Sequence, residues 1–197
     1  EGEDEIVLKS GGVIRVTIIE TYVGLTSARR FTDSVTEIVL GDGAQVEHYR
    51  ILVEGDDAYH VGVTRVYQGR DSTFTSTVFQ RGSALARNDL RVLLDAPGGS
   101  CTLNGLYITT GSEHVDNYIN IDHAQPHTNS RLYYKGILDG QSKAVFGGMV
   151  LVRPGAVKVD AHQADKNLLL SAGAEVDSKP SLEIYADDVK CGHGATA

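Results

Sequence analysis

The sequence predicts an all-β fold, a β-solenoid in which short strands stack coil upon coil around an axial core. Three observations carry this. Apolar residues alternate with polar ones in β-branched runs from one end of the chain to the other. Helical periodicity is almost absent. The punctuation also repeats, as a Gly followed by small or polar residues introduces one apolar run after another. Neighbouring marks lie mostly roughly 13 to 18 residues apart and alternate ones roughly 26 to 33. A weak repeat of two short strands per turn, with little similarity between repeats, fits a solenoid whose coils bury one another. A two-sheet β-sandwich is the alternative, since it too shows short strands between regular turns. The 22 glycines favour the solenoid, because every coil needs corners with unusual backbone angles.

The elements follow in order. "GGVIRVTIIE" (Gly11 to Glu20) is a β-branched run. "SVTEIVL" (Ser34 to Leu40), "VGVTRVY" (Val61 to Tyr67) and "STFTSTVF" (Ser72 to Phe79) alternate apolar residues with polar ones or Thr. "RNDLRVLL", "LNGLYIT", "AVFGGMVLV" and "SLEIYA" continue the pattern. The marks between them fall at Gly43, Gly69, Gly82, Gly98, Gly140, Gly155 and Ala172. The best helical candidate, Ala161 to Val176, has its leucines adjacent at Leu168 to Leu170 and Gly173 close behind. That spacing predicts a loop and a strand, with a short helix as the alternative.

The chain's 197 residues suffice for a single domain, residues 1–197, with a real core. The net charge of −8, with 26 acidic against 18 basic residues and no basic run, argues against nucleic acid as a partner. No stretch approaches the roughly 20 apolar residues that span a bilayer, so no membrane partner is expected. Two cysteines, Cys101 and Cys191, are too few for a disulfide framework, and free thiols point to a reducing compartment, the cytoplasm.

Most chemical motifs reduce to structure. Asp187 and Asp188 are adjacent and would point to opposite faces of a strand, which suits a turn rather than a pair of catalytic carboxylates. "DHAQPH" groups Asp122, His123 and His127, with His114 and Asp116 upstream. A His-x3-His pair shares a face on a helix, but here Pro126 intervenes and strands flank the segment. The reading is a turn with hydrogen-bonded histidines. Cys101 reads as a small buried hydrophobe. None of the Gly clusters has phosphate-loop spacing, and no nucleophile elbow supports a Ser-His-Asp triad.

"DDVKCGHGATA", Asp187 to Ala197, is different. If Val189 to His193 is extended, Cys191 and His193 are i and i+2 on one face, roughly 6 to 7 Å apart. A thiolate and an imidazole at that separation can both reach iron or zinc, or neighbouring irons of one cluster. Two ligands do not complete a site that wants four, so the pair is half of one, to be finished by another surface.

The stretch "NLLLSAGAEVDSKPSLEIYADDVKCGHGATA", Asn167 to Ala197, closely resembles the SufB/SufD family of iron–sulfur cluster assembly scaffolds. "HVDNYINIDHAQPHTNSRLYYKGILDGQSKAVFGGMVLV" (His114 to Val152), "RNDLRVLL…GGSCTLNGLY" and "QGRDSTFTS" extend the likeness back to about Gln68. The SufD branch is resembled most, because the segment after the cysteine lacks acidic residues beside the histidine. Gly147 and Gly192 depart from the residues usual in relatives.

The resemblance implies a right-handed parallel β-helix and a scaffold subunit, not an enzyme, that meets a SufB-like partner and a SufC-like ATPase. The position matching Cys191 lies in the family's contact region, and the one matching His193 is implicated in cluster assembly. The implied cargo is a transient iron–sulfur cluster or iron, with none held tightly by the isolated chain. The helical segments that flank the core in full-length relatives are expected to be absent, and an isolated chain is expected to form a homodimer. Two other readings are a purely structural β-helix subunit without metal ligation and a carbohydrate-active β-helix enzyme.

Overall fold

In the computed structural model, residues 2–8, 14–25 and 29–197 are described. They form fourteen strands and no helix: β1 (Gly2–Leu8), β2 (Arg15–Val23), β3 (Arg30–Leu40), β4 (Gln45–Val53), β5 (Ala58–Gln68), β6 (Thr73–Arg81) and β7 (Leu85–Leu94), followed by β8 (Ser100–Thr109), β9 (His114–His123), β10 (Asn129–Leu138), β11 (Lys143–Val152), β12 (Asp160–Leu169), β13 (Glu175–Ile184) and β14 (Lys190–Thr196). The odd strands make one seven-stranded sheet and the even strands the other, in chain order. All pairings are parallel. Each strand pairs with the one two along, 26 to 32 residues away, as in Tyr59↔Leu85 and Gly2↔Ser34. The chain is therefore a β-solenoid of two flat faces, and the sandwich alternative fails on the parallel pairing.

The sequence reading of strands holds through the chain. The run starting at Gly11 is a strand from Arg15; its first three residues lie outside the described residues. Ala161 to Val176 is nearly all of β12, a turn and the start of β13, so the first part expected as loop is strand, and there is no helix. Gly147 and Gly192 both sit in regular extended strand. No helix among the described residues is long and apolar enough to cross a membrane.

The corners explain both the glycine marks and their gaps. Two positions before the start of each even strand from β4 on, the residue has a positive φ: Gly43, Asp71, Gly98, His127, Lys158 and Asp188, at 53 to 80°. This is the left-handed region that glycine enters freely and other residues enter at some cost. Four of the six positions carry a side chain, which is why the glycine period looks broken in the sequence.

Strand parity sorts side chains inward and outward. In the middle coils the inward set is apolar: Leu103, Leu132, Ile119, Ile121, Phe146 and Val150 are all buried. Gly105 and Gly136 face inward too. A Cβ at Gly105 would lie 2.2 Å from the Tyr134 ring, and one at Gly136 2.4 Å from Tyr107, so these glycines make room for the two tyrosines. The first coils differ, since Glu20, His48, Arg50, Glu54, His60 and Thr64 occupy inward positions.

Candidate functional site

Register fixes the place of the Cys-x-His pair. The inward column Val46, Phe74, Cys101, Ser130, Ala161 ends at Cys191, and the next column, His48, Ser76, Leu103, Leu132, Gln163, ends at His193. Both residues therefore belong to the tube's inward face. β14 is the outermost strand of its sheet and pairs only with β12. Cys191 is half-buried against the core, and His193 is exposed. Positions that earlier coils bury are open on β14, beside its unpaired backbone edge.

The space beside His193 is partly polar, and Cys191 does not line it. A groove of about 400 Å³ is lined by Arg131, Tyr133, His162, Gln163, Gly192 and His193. Asp160 stands at its rim, 3.0 Å from Arg131 and 3.1 Å from the His162 Nε2. Gly192 leaves space for the His162 ring, whose Nδ1 would lie 3.3 Å from a Cβ there. Burial pushes the Cys191 thiol up; the Asp160 charge adds to this, and a backbone hydrogen bond with Ala161 opposes it. The thiol is thus protonated at neutral pH, and taking up a metal there releases a proton. Among the described residues, no group of three or more His, Cys, Asp or Glu side chains is arranged to hold a metal. From strand rise the pair is roughly 6 to 7 Å apart, which offers two ligands and one open edge.

The remaining residues weighed from sequence are not brought together. His123 is fully buried, with Nδ1 2.7 Å from the Thr128 hydroxyl and Nε2 2.9 Å from that of Ser130. Burial lowers its pKa to about 4. Asp122 points outward to Arg153, and His127 sits at a positive-φ corner, so the three residues do not converge. His114 opens β9 and Asp116 pairs with Arg87. Asp188 is a corner residue paired with Lys158. Cys101 is buried and free, its thiol pushed up to about 12 by burial.

Sequence reasoning missed a charged cluster inside the first coils. The Arg50 guanidinium crosses the tube and donates to the Thr64 hydroxyl at 2.9 Å, the Ser34 hydroxyl at 3.0 Å and His60 Nε2 at 2.8 Å. A Cβ at Gly62 would lie 2.1 Å from Arg50 Nη2, so Gly62 makes the space. Because arginine only donates, His60 Nε2 accepts and Nδ1 carries the proton, which it gives to Glu54 at 2.7 Å. Glu20 accepts from Thr36 at 2.8 Å and lies 3.2 Å from His48 Nε2. The signal was parity: in "QVEHYRILV", His48 and Arg50 alternate in phase with Val46 and Leu52.

Comparison with known proteins places this geometry. Residues 5–197 match the family described as SUF system FeS cluster assembly, SufBD core domain. The chain is 35% identical over 180 residues to the iron–sulfur cluster assembly protein SufD of Escherichia coli (strain K12), covering 91% of this chain and 43% of that protein. It is 34% identical over 190 residues to a SufBD family protein of Synechocystis, covering 92% and 42%. Against the chloroplastic protein ABCI7 of Arabidopsis thaliana it is 31% identical over 192 residues, covering 96% and 40%. The chain spans less than half the length of these curated relatives.

Proposed function

The chain belongs to the SufBD core-domain family, and from that premise we propose that it is a SufD-like scaffold subunit in iron–sulfur cluster assembly. In this reading it joins a SufB-like subunit and a SufC-like ATPase in the cytoplasm, and performs no turnover of its own. Its contribution to chemistry is Cys191 and His193, presented to a nascent cluster at the contact with the SufB-like partner.

One observation supports this above the others. Two residues able to ligate iron share the inward face of β14, the strand whose far edge is unpaired. A partner strand added to that edge would bring its own side chains into the same columns. Two ligands from one chain leave the rest to the partner, so the cluster is handed on rather than kept. Without a SufB-like partner, a second copy of the chain covers the same edge by two-fold symmetry.

The test is anaerobic cluster reconstitution with a SufB-like partner, comparing the native chain with His193→Ala. Cluster formation, read by visible absorbance, is expected to fall with His193→Ala while complex formation persists. Undiminished assembly would favour the purely structural reading. Iron binding by the isolated chain is expected to be weak and lost to a chelator. Light scattering at micromolar concentration is expected to show a dimer; a monomer unchanged on concentration would count against the shared edge.

A further inference from the structure

Where the polar interior meets the apolar one, β4, β5, β6, β7, β9 and β10 enclose a cavity of about 20 Å³ whose lining includes His48, Arg50, Thr64, Ser76, Asn88 and Asn117 beside apolar residues such as Leu90 and Ile119. A single water needs roughly 10 to 15 Å³ of such space and two to four polar partners. We propose that this cavity is a binding site for one ordered water molecule, held chiefly by Asn88 and Asn117.

The hydrogen-bond inventory carries the assignment. Asn88 Nδ2 donates to Gln80 Oε1 at 2.9 Å and to Asn117 Oδ1 at 3.3 Å. That leaves the buried Asn88 Oδ1 and Asn117 Nδ2, and with them Gln80 Nε2, with no hydrogen-bond partner among the described residues; Arg50 Nε makes no hydrogen bond either but faces Glu20 Oε2 at 3.9 Å. Asn117 is 2% exposed and Asn88 9%. A buried amide without a partner is destabilising, and such groups in folded proteins are satisfied by protein or by water. Flipping the three amides together exchanges donors for acceptors and leaves Asn88 with an unsatisfied donor and Asn117 and Gln80 each with an unsatisfied acceptor. Thr64 accepts from Arg50, so its hydroxyl hydrogen is available to a further acceptor.

The site therefore presents donors and an acceptor together, which selects the ligand. Water accepts from Asn117 and Arg50 or Thr64 and donates to Asn88. A metal cation is disfavoured by the Arg50 charge and the Asn117 donor. A halide is disfavoured by the Asn88 acceptor and by the Glu20 carboxylate, which lies 3.2 Å from His48 and 3.9 Å from Arg50, two of the lining residues. Anything larger exceeds the volume.

The experiment is high-resolution diffraction from the unmodified chain, together with oxygen-17 relaxation dispersion to count slowly exchanging waters. A density peak within hydrogen-bonding reach of Asn88 Oδ1 and Asn117 Nδ2 is expected. The double variant Asn88→Leu, Asn117→Leu is expected to lose one long-lived water from the count. An unchanged count in a folded double variant overturns the proposal. So does an empty cavity at a resolution that orders other buried waters, or an anomalous bromide peak there after soaking. If the double variant does not fold, the diffraction result alone decides.

Discussion

The first coils and the last full coil both bury carboxylates, and they treat them in opposite ways. Near the start, burial alone would push the Glu20 carboxyl up. The His48 ring, the Thr36 hydroxyl and Arg50 outweigh it and hold the group below the ordinary glutamate range. Glu54 behaves alike: burial raises it, but His60, Thr32 and Arg30 bring it down. Near the end, Asp165 is 1% exposed and its carboxyl lies above the ordinary range. Burial dominates there, because the groups that oppose it, the nearby Ser178 and the Asn167 amide that donates at 2.7 Å, carry no charge. A solenoid can thus carry a polar interior in two forms. One is neutralised from within by a cation reaching across the tube; the other has only neutral partners and lies on the coil next to the open strand.

Removing the cation breaks the first form. Arg50 is 3% exposed and holds Thr64, Ser34 and His60 at once. Arg50→Leu takes from Glu20 the guanidinium 3.9 Å away and from His60 Nε2 its donor, and breaking a buried charge pair typically destabilises by about 3–5 kcal/mol. The urea midpoint is expected to fall by the corresponding amount. A shift below about 1 kcal/mol would mean that water already solvates the cluster.

Removing the charge sharpens the second. Asp165→Asn keeps the shape and an acceptor but takes away the buried negative charge. A gain on the order of 1 kcal/mol is expected at neutral pH. The pH dependence separates the two regions by sign. The depressed glutamates contribute stability above the ordinary glutamate value of 4.5, and lose it as pH falls through their lower folded values. Asp165, raised in the folded state, contributes below its ordinary value of 3.8 and loses that contribution as pH rises through its folded value. The advantage of Asp165→Asn should therefore vanish in acid, where the native carboxyl is protonated. Unfolding curves for the two proteins across this range check it; an advantage that persists in acid would point to packing instead of charge.

This contrast also marks what the sequence could tell. Coil length was legible because the chain returns to the same corner every 26 to 32 residues and glycine often stands there. The corners at Asp71, His127, Lys158 and Asp188 were not, since positive φ leaves no mark on a residue that has a side chain. His123 and His127 were separable from a metal pair through Pro126 and the flanking strands. The charged cluster was invisible as a cluster: Glu20, Arg50 and His60 come from three strands in two sheets, and only register joins them. Cys191 and His193 stood out in the sequence because their spacing is local, two residues along one strand. That their columns run back through Ala161 and Gln163 into the core required the fold.

The smallest effect expected bears most on function. Arg50 and Asp165 are enclosed, so changing either is felt in folding. His193 has the same inward parity as Gln163, yet it is exposed and has no recorded hydrogen bond or ion pair among the described residues. A substitution at an exposed position away from packing and pairing moves stability by about 0.5 kcal/mol or less. His193→Ala should therefore leave the urea midpoint of the isolated chain within that margin, with Cys191→Ser somewhat larger because Cys191 touches the core. If so, any loss of cluster assembly with His193→Ala arises at the site and not from a weakened scaffold. A drop of more than about 1 kcal/mol would instead make His193 part of what holds the last coil together, and its place beside Cys191 would then need no iron to explain it.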